Sequence, residues 1–114
     1  MADGAAQPII STHVLDVEHG TPASGVRVTL SRLDVAGGKP IRMTQALTDG
    51  DGRVRDLLER PLAAGEYRLE FDVAREDGSF FTKVAVDLRI TDIGRSYHVP
   101  LLLAPYSMTT YRGT

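Results

Sequence analysis

Three stretches of this chain alternate apolar and polar residues with a period of two rather than the 3.6 of a helix. In "GVRVTLSRL", Val26, Val28 and Leu30 alternate with Arg27, Thr29 and Ser31. In "EYRLEFDVA", Tyr67, Leu69, Phe71 and Val73 alternate with Glu66, Arg68, Glu70 and Asp72. In "KVAVDLRI", Val84, Val86, Leu88 and Ile90 alternate with Lys83, Ala85, Asp87 and Arg89. Successive side chains of a strand point to opposite faces, so each stretch reads as a strand with one dry face. Two further runs, "PIISTHVLDV" and "SYHVPLLLAPY", hold extra apolar residues, as expected of strands covered on both faces or buried in a subunit contact. "IRMTQALT" reads as a weaker strand, and Tyr106 to Arg112 as a short last one.

Turn sequences separate these runs: "EHGTPASG", "DVAGGKP", "TDGDGR", "REDGS" and "TDIGRS". Roughly seven or eight strands, punctuated about every 8–12 residues, predict an all-β antiparallel sandwich. A chain of 114 residues is one domain, expected over residues 9–114 after a disordered or extended N-terminus at residues 1–8. The net charge of −2, with no basic cluster, argues against nucleic acid and anionic membranes as partners. The absence of cysteine excludes disulfides, thiolate metal sites and cysteine nucleophiles. No apolar run approaches the ~20 residues of a membrane helix. "MADGAAQP" lacks the pattern of a secretory signal, and the C-terminus is not a peroxisomal one. A cytoplasmic location is expected.

With no cysteine and three histidines, few side chains offer catalysis. His13 lies in the first strand, His19 in the turn after it, and His98 in "SYHVP". Arg53 in "DGDGR" and Arg112 in the tail are the candidate cations. Singly, each has a plain structural reading. A strand histidine is more often structural than catalytic, and His19 reads as exposed. "TDGDGR" is an ordinary hairpin sequence whose glycines take positive φ while the Asp side chains bond their own backbone. It lacks the later ligands of a Ca²⁺ loop. Pro100 implies a sheet edge or a bulge.

In combination these segments say more. "STHVLDVEHGTPASGVRVTL", "TDGDGR", "GEYRLEF" and "YHVPLLLAPYSMTTYRGT", in this order, resemble the transthyretin-like 5-hydroxyisourate hydrolases of purine degradation. The resemblance runs from about Ile10 to Thr114, and its most specific part is the terminal block, Tyr-Arg-Gly-Ser in the family. It implies a transthyretin-type sandwich of two four-stranded sheets, assembled as a homotetramer with active sites in a channel between dimers. The first strand and the "YHVP" strand would line that channel. The implied reaction is hydrolysis of the ring amide of 5-hydroxyisourate. His13 and His98 would converge on the substrate, one as base for water and the other positioning water or substrate. Arg53 would supply a fixed donor for developing negative charge. Tyr111, Arg112, Gly113 and Thr114 would form a substrate-binding strand end projecting into the site. No metal or organic cofactor is implied.

The chain departs from the family pattern in four places. Thr114 stands for the terminal Ser. Ser96 stands where many members carry a first His before Tyr97-His98. Ala104, Met108 and Thr109 replace the usual residues around the last turn. The segment between Phe71 and Phe80 is short, which predicts that the family's helix after the Gly65–Ala74 strand is absent and that "EDG" closes a plain hairpin. Two other functions stay open. One is a transthyretin-like small-ligand-binding protein, or an altered-substrate relative, using the same channel. The other is an interaction module similar to carboxypeptidase-regulatory-like domains, in which the Asp-Gly turn is purely structural. His13, Arg53, His98 and "YRGT" together favour the hydrolase.

Overall fold

The computed structural model describes residues 7–75 and 78–114, and among these nine strands and no helix form. The strands are β1 (Ile10–Asp16), β2 (Thr21–Pro22), β3 (Arg27–Arg32), β4 (Ile41–Leu47), β5 (Arg53–Val54), β6 (Gly65–Asp72), β7 (Lys83–Ile90), β8 (Tyr97–Ala104) and β9 (Ser107–Thr110). One sheet has the order β4-β3-β6-β7 and is antiparallel throughout. The other runs β2-β1-β8-β9, with β5 also paired to β1.

The predicted sandwich is borne out, with two refinements. β1 and β8 pair in parallel, from Ile10↔Tyr97 to Asp16↔Leu103. A parallel pair needs a long crossover, and here the whole opposite sheet lies in the connection between the two strands. The fourth place in that sheet is shared by two short pieces. β2 pairs with Leu15 and Asp16, and β5 with Thr12 and His13. Turn-like sequences hide both pieces, because each is held by β1 rather than by its own propensity.

The alternations become the core. Val28 and Leu30 of β3 and Tyr67, Leu69 and Phe71 of β6 are buried against Ile10 and Val14 of β1 and Val99 and Leu101 of β8. Burial of such side chains contributes about 1.5–3 kcal/mol each. On β7, Val84 and Ile90 are buried while Val86 and Leu88 are half-buried, as befits an edge strand. The outer face of the β4-β3-β6-β7 sheet carries cross-strand ion pairs. Arg68 meets Asp87 at 2.7 Å, Arg89 meets Glu66 at 2.8 Å and Lys83 meets Glu70 at 3.4 Å. That face is built for water. Exposed pairs of this kind add little stability but favour one register.

The β6–β7 connection contains no helix among the described residues. Val73 and Ala74 both donate to the Thr82 carbonyl, extending the hairpin beyond the ladder. Residues 76 and 77 of the expected "EDG" turn lie outside the described residues, as do residues 1–6 of the N-terminal segment. Pro100 sits in an inner strand rather than at an edge or a bulge. The β8–β9 ladder stops at Leu101↔Thr110, and the Thr110 hydroxyl donates to the Pro100 carbonyl at 2.8 Å.

Candidate active site

In β1, Ile10, Thr12 and Val14 point inward, so the pleat turns Ser11 and His13 to the outer face. In β8, Tyr97, Val99, Leu101 and Leu103 point inward, and His98 and Leu102 turn outward. The parallel register then sets Ser11 beside His98. Across the other edge of β1, His13 is the direct partner of Arg53. Three of the residues singled out in the sequence, His13, Arg53 and His98, thus share one face, although Arg53 and His98 lie 40 and 85 positions along the chain from His13.

The "TDGDGR" turn delivers Arg53. The Asp49 carboxylate accepts from the backbone N–H of Asp51 and of Arg53, each at 2.9 Å. These bonds, from Arg53 first, keep the Asp49 carboxyl below its ordinary pKa. The Gly52 carbonyl accepts from the Val14 N–H at 2.7 Å, which pins the turn to β1. Gly52 has φ +78°, and a Cβ there would run into the Val14 carbonyl oxygen, so only glycine fits. The same turn directs the Asp51 carbonyl at His13 Nε2, 2.8 Å away. A carbonyl only accepts, so Nε2 carries the proton and Nδ1 is the open nitrogen of neutral His13.

His98 is half-buried, and its Nδ1 lies 2.8 Å from Ser11 Oγ. Burial, then the charge of Arg53 and that of His13, push its pKa below the ordinary histidine value. A neutral imidazole with one free nitrogen, next to a fixed guanidinium, can take a proton from water while the cation stabilises an oxyanion.

The tail reaches the same residue. The Gly113 N–H donates to the His98 carbonyl at 2.7 Å. A Cβ on Gly113 would lie 2.8 Å from His98 Cδ2, so the glycine lets the backbone lie on the ring. Tyr111 and Arg112 border a cleft of about 320 Å³ between β7 and the start of β8, beside the inward-facing Tyr97 and Val99 rather than the outward His98, and Thr114 is exposed. Ser96, in place of the family's first His, accepts from the Ile9 N–H at 2.9 Å and anchors the entry to β1.

Two contributors escaped the sequence reading, Ser11 and the Asp51 carbonyl. Period-two spacing from His13 puts Ser11 on the histidine's face, which is a readable signal. No sequence signal marks a main-chain carbonyl. His19 lies elsewhere, as expected for an exposed turn. It pairs with Asp16 at 2.8 Å, and with Glu18 these residues bring ligand atoms within 4.8 Å of one another. The His19–Asp16 contact closes the β1–β2 turn, with the His19 N–H also bonded to Asp16.

Strand order, the parallel β1–β8 pair and the outward His–Arg group together define a transthyretin-type sandwich with a polar, catalysis-competent face. The chain belongs to the HIUase/Transthyretin family, whose model matches residues 10–113. It is 38% identical to the 5-hydroxyisourate hydrolase of Caulobacter vibrioides, over 92% of this chain and 97% of that protein. The solved 5-hydroxyisourate hydrolase of Klebsiella pneumoniae is 36% identical, with a TM-score of 0.78 over 94% of this chain and 99% of that one. Sea bream transthyretin, solved in complex with thyroxine, is 31% identical with a TM-score of 0.81, covering 90% of this chain and 92% of its own.

Proposed function

We propose that this protein is a hydrolase that opens the ring amide of 5-hydroxyisourate, acting as a cytoplasmic homotetramer. The observation that carries the reading is the meeting of His13, Arg53 and His98 on one outward face, with the tail backbone laid on His98. The relatives named 5-hydroxyisourate hydrolase, matched over nearly their whole lengths, support the same substrate.

The residues fit into one sequence of steps. His98, neutral at physiological pH, accepts a proton from water at Nε2 as the water oxygen bonds to the amide carbon. Arg53 donates to the carbonyl oxygen as it becomes an oxyanion. His13, fixed by the Asp51 carbonyl, orients water or substrate through Nδ1. The carbon–nitrogen bond then breaks, and the proton held on His98 passes to the leaving nitrogen. Tyr111, Arg112, Gly113 and Thr114 form the substrate-binding end, with Gly113 setting the approach of the strand to His98.

The tetramer reading is supported by what this face lacks. The opposite sheet is covered in ion pairs, whereas here apolar Leu15 and Leu102 accompany His13 and His98, and Val17 just beyond β1 stands 50% exposed. Such residues suit a contact with a second copy. Residues 9–114 would act as one domain, beginning where Ile9 is held by Ser96 and Tyr97.

The test is the ultraviolet decay of freshly generated 5-hydroxyisourate, with and without protein and beside a variant truncated after Thr110. Accelerated decay with the full chain alone supports both the activity and the role of the tail. No acceleration by an intact tetramer overturns the hydrolase. It then favours a small-ligand-binding protein or an altered-substrate relative, the reading that the likeness to thyroxine-bound transthyretin supports.

A further inference from the structure

Ser11 lies on the face of His13 and beside His98, yet the hydrolysis above gives its hydroxyl no step. The Ser11 Oγ to His98 Nδ1 contact, at 2.8 Å, ties the two parallel strands together at the centre of the site. We propose that Ser11 is a positioning residue: its hydroxyl holds His98 Nδ1 so that the ring presents Nε2 to the reactants. The inference rests on the hydrolase reading and deepens it.

The argument is one of proton bookkeeping on the ring. A neutral imidazole that is to accept a proton at Nε2 must carry its resting proton on Nδ1. In a half-buried setting that N–H needs an acceptor, and Ser11 Oγ is placed as one. When His98 takes up a second proton, both ring nitrogens donate, and Oγ goes on accepting. The same bond therefore survives arrival and departure of the proton. A carboxylate at this position would stabilise the imidazolium and make it a sluggish donor to the leaving nitrogen. A hydroxyl fixes the tautomer without adding charge.

The surroundings agree. From β5 the facing charge is Arg53, and from β1 it is His13. From the tail, Gly113 brings its backbone onto the ring, with Arg112 and the α-carboxylate of Thr114 on either side of it in the chain. Among the described residues, Ser11 is the side chain hydrogen-bonded to His98, and it is uncharged. His13 is held differently, through Nε2 and a main-chain carbonyl. The two rings thus meet the reactants through different nitrogens, Nδ1 of His13 and Nε2 of His98.

The experiment compares Ser11→Ala and Ser11→Thr with the parent chain. Initial rates on 5-hydroxyisourate over about pH 5–9 are measured beside ¹⁵N NMR of the His98 ring. Ser11→Ala is expected to lower kcat about tenfold with little change in KM. Its acid limb should move to lower pH, because the imidazolium loses an acceptor. Ser11→Thr, which keeps the hydroxyl, should restore both. In the parent the neutral ring should carry its proton on Nδ1, and in Ser11→Ala that preference should vanish. A parent-like kcat and pH profile in Ser11→Ala, or a parent His98 protonated on Nε2, overturns the proposal. So does loss of all activity in Ser11→Ala together with a covalent substrate adduct on Ser11 in the parent, which would make the hydroxyl a nucleophile. A parent chain without activity overturns the hydrolase reading instead, and the NMR tautomer still decides the role of Ser11.

Discussion

His98 governs how the site should respond to pH. Burial first, then the charges of Arg53 and His13, hold its pKa below the ordinary 6.5. A base must be neutral to accept a proton, so kcat/KM should stay level as pH falls through the usual histidine range and drop only below it. Initial rates across acidic buffers check this. Stability carries the same sign. Between the two pKa values the unfolded chain binds a proton that folded His98 refuses, so the folding free energy declines as pH falls from about 6.5 toward the folded value. His19 acts in the opposite sense. Its hydrogen bond to Asp16, then the charges of Asp16 and Glu18, raise its pKa, and that contribution is lost as pH rises through the raised value. The pair is solvent-exposed, so screening keeps the effect small. His13→Ala, Arg53→Ala and His98→Ala should each reduce turnover by about 10²-fold or more while circular dichroism and oligomer mass persist. Full activity in any one of them would remove that residue from its assigned role. Gly113→Ala should lift the tail from the His98 ring and raise KM with little change in thermal midpoint. At this scale the imidazoles were legible because the chain has only three, whereas Arg53, one of eleven arginines, was legible only through the resemblance of its turn to the family pattern. The face of Ser11 was legible from its spacing to His13, but its contact was not, since its partner is 87 residues away.

Among the elements, the 49–53 turn is the one that joins fold to site. Replacing Gly52 with Ala puts a Cβ against the Val14 carbonyl at a positive φ. Strain of that kind costs about 1–3 kcal/mol. Urea denaturation should show the loss, and activity should fall further than stability, because Arg53 and the Asp51 carbonyl move away from His13 together. β6 behaves differently. Leu69→Ala empties a fully buried position at the centre of the sandwich and should cost about 2–5 kcal/mol, with kcat nearly unchanged in the fraction that stays folded. The long strands were readable because each buries one face, which writes a period of two into the chain. β2 and β5, with two residues each, carry no period and exist only because β1 offers them an edge. The shortened β6–β7 connection was read by comparison with the longer segment of the family pattern, and among the described residues it holds no helix.

At the scale of the whole molecule, the two outer faces of the sandwich have opposite characters, and assembly should follow the less polar one. Leu102→Asp places a charge on that face between Leu15 of β1 and Thr109 of β9, away from His98. It should leave a folded sandwich of reduced mass by light scattering and lower activity. A tetramer that survives this change would move the subunit contact elsewhere. By itself, the sequence determined the all-β sandwich, its strand faces, and the residue types available for catalysis. Those follow from local alternation, turn chemistry and composition, which are properties of neighbours in the chain. The tertiary structure alone decided that β1 and β8 run parallel, that Ser11 rather than a charged group holds His98, and that a turn carbonyl fixes the proton of His13. Each of these depends on register between strands far apart in sequence, and register is set by packing of the two inner faces against each other.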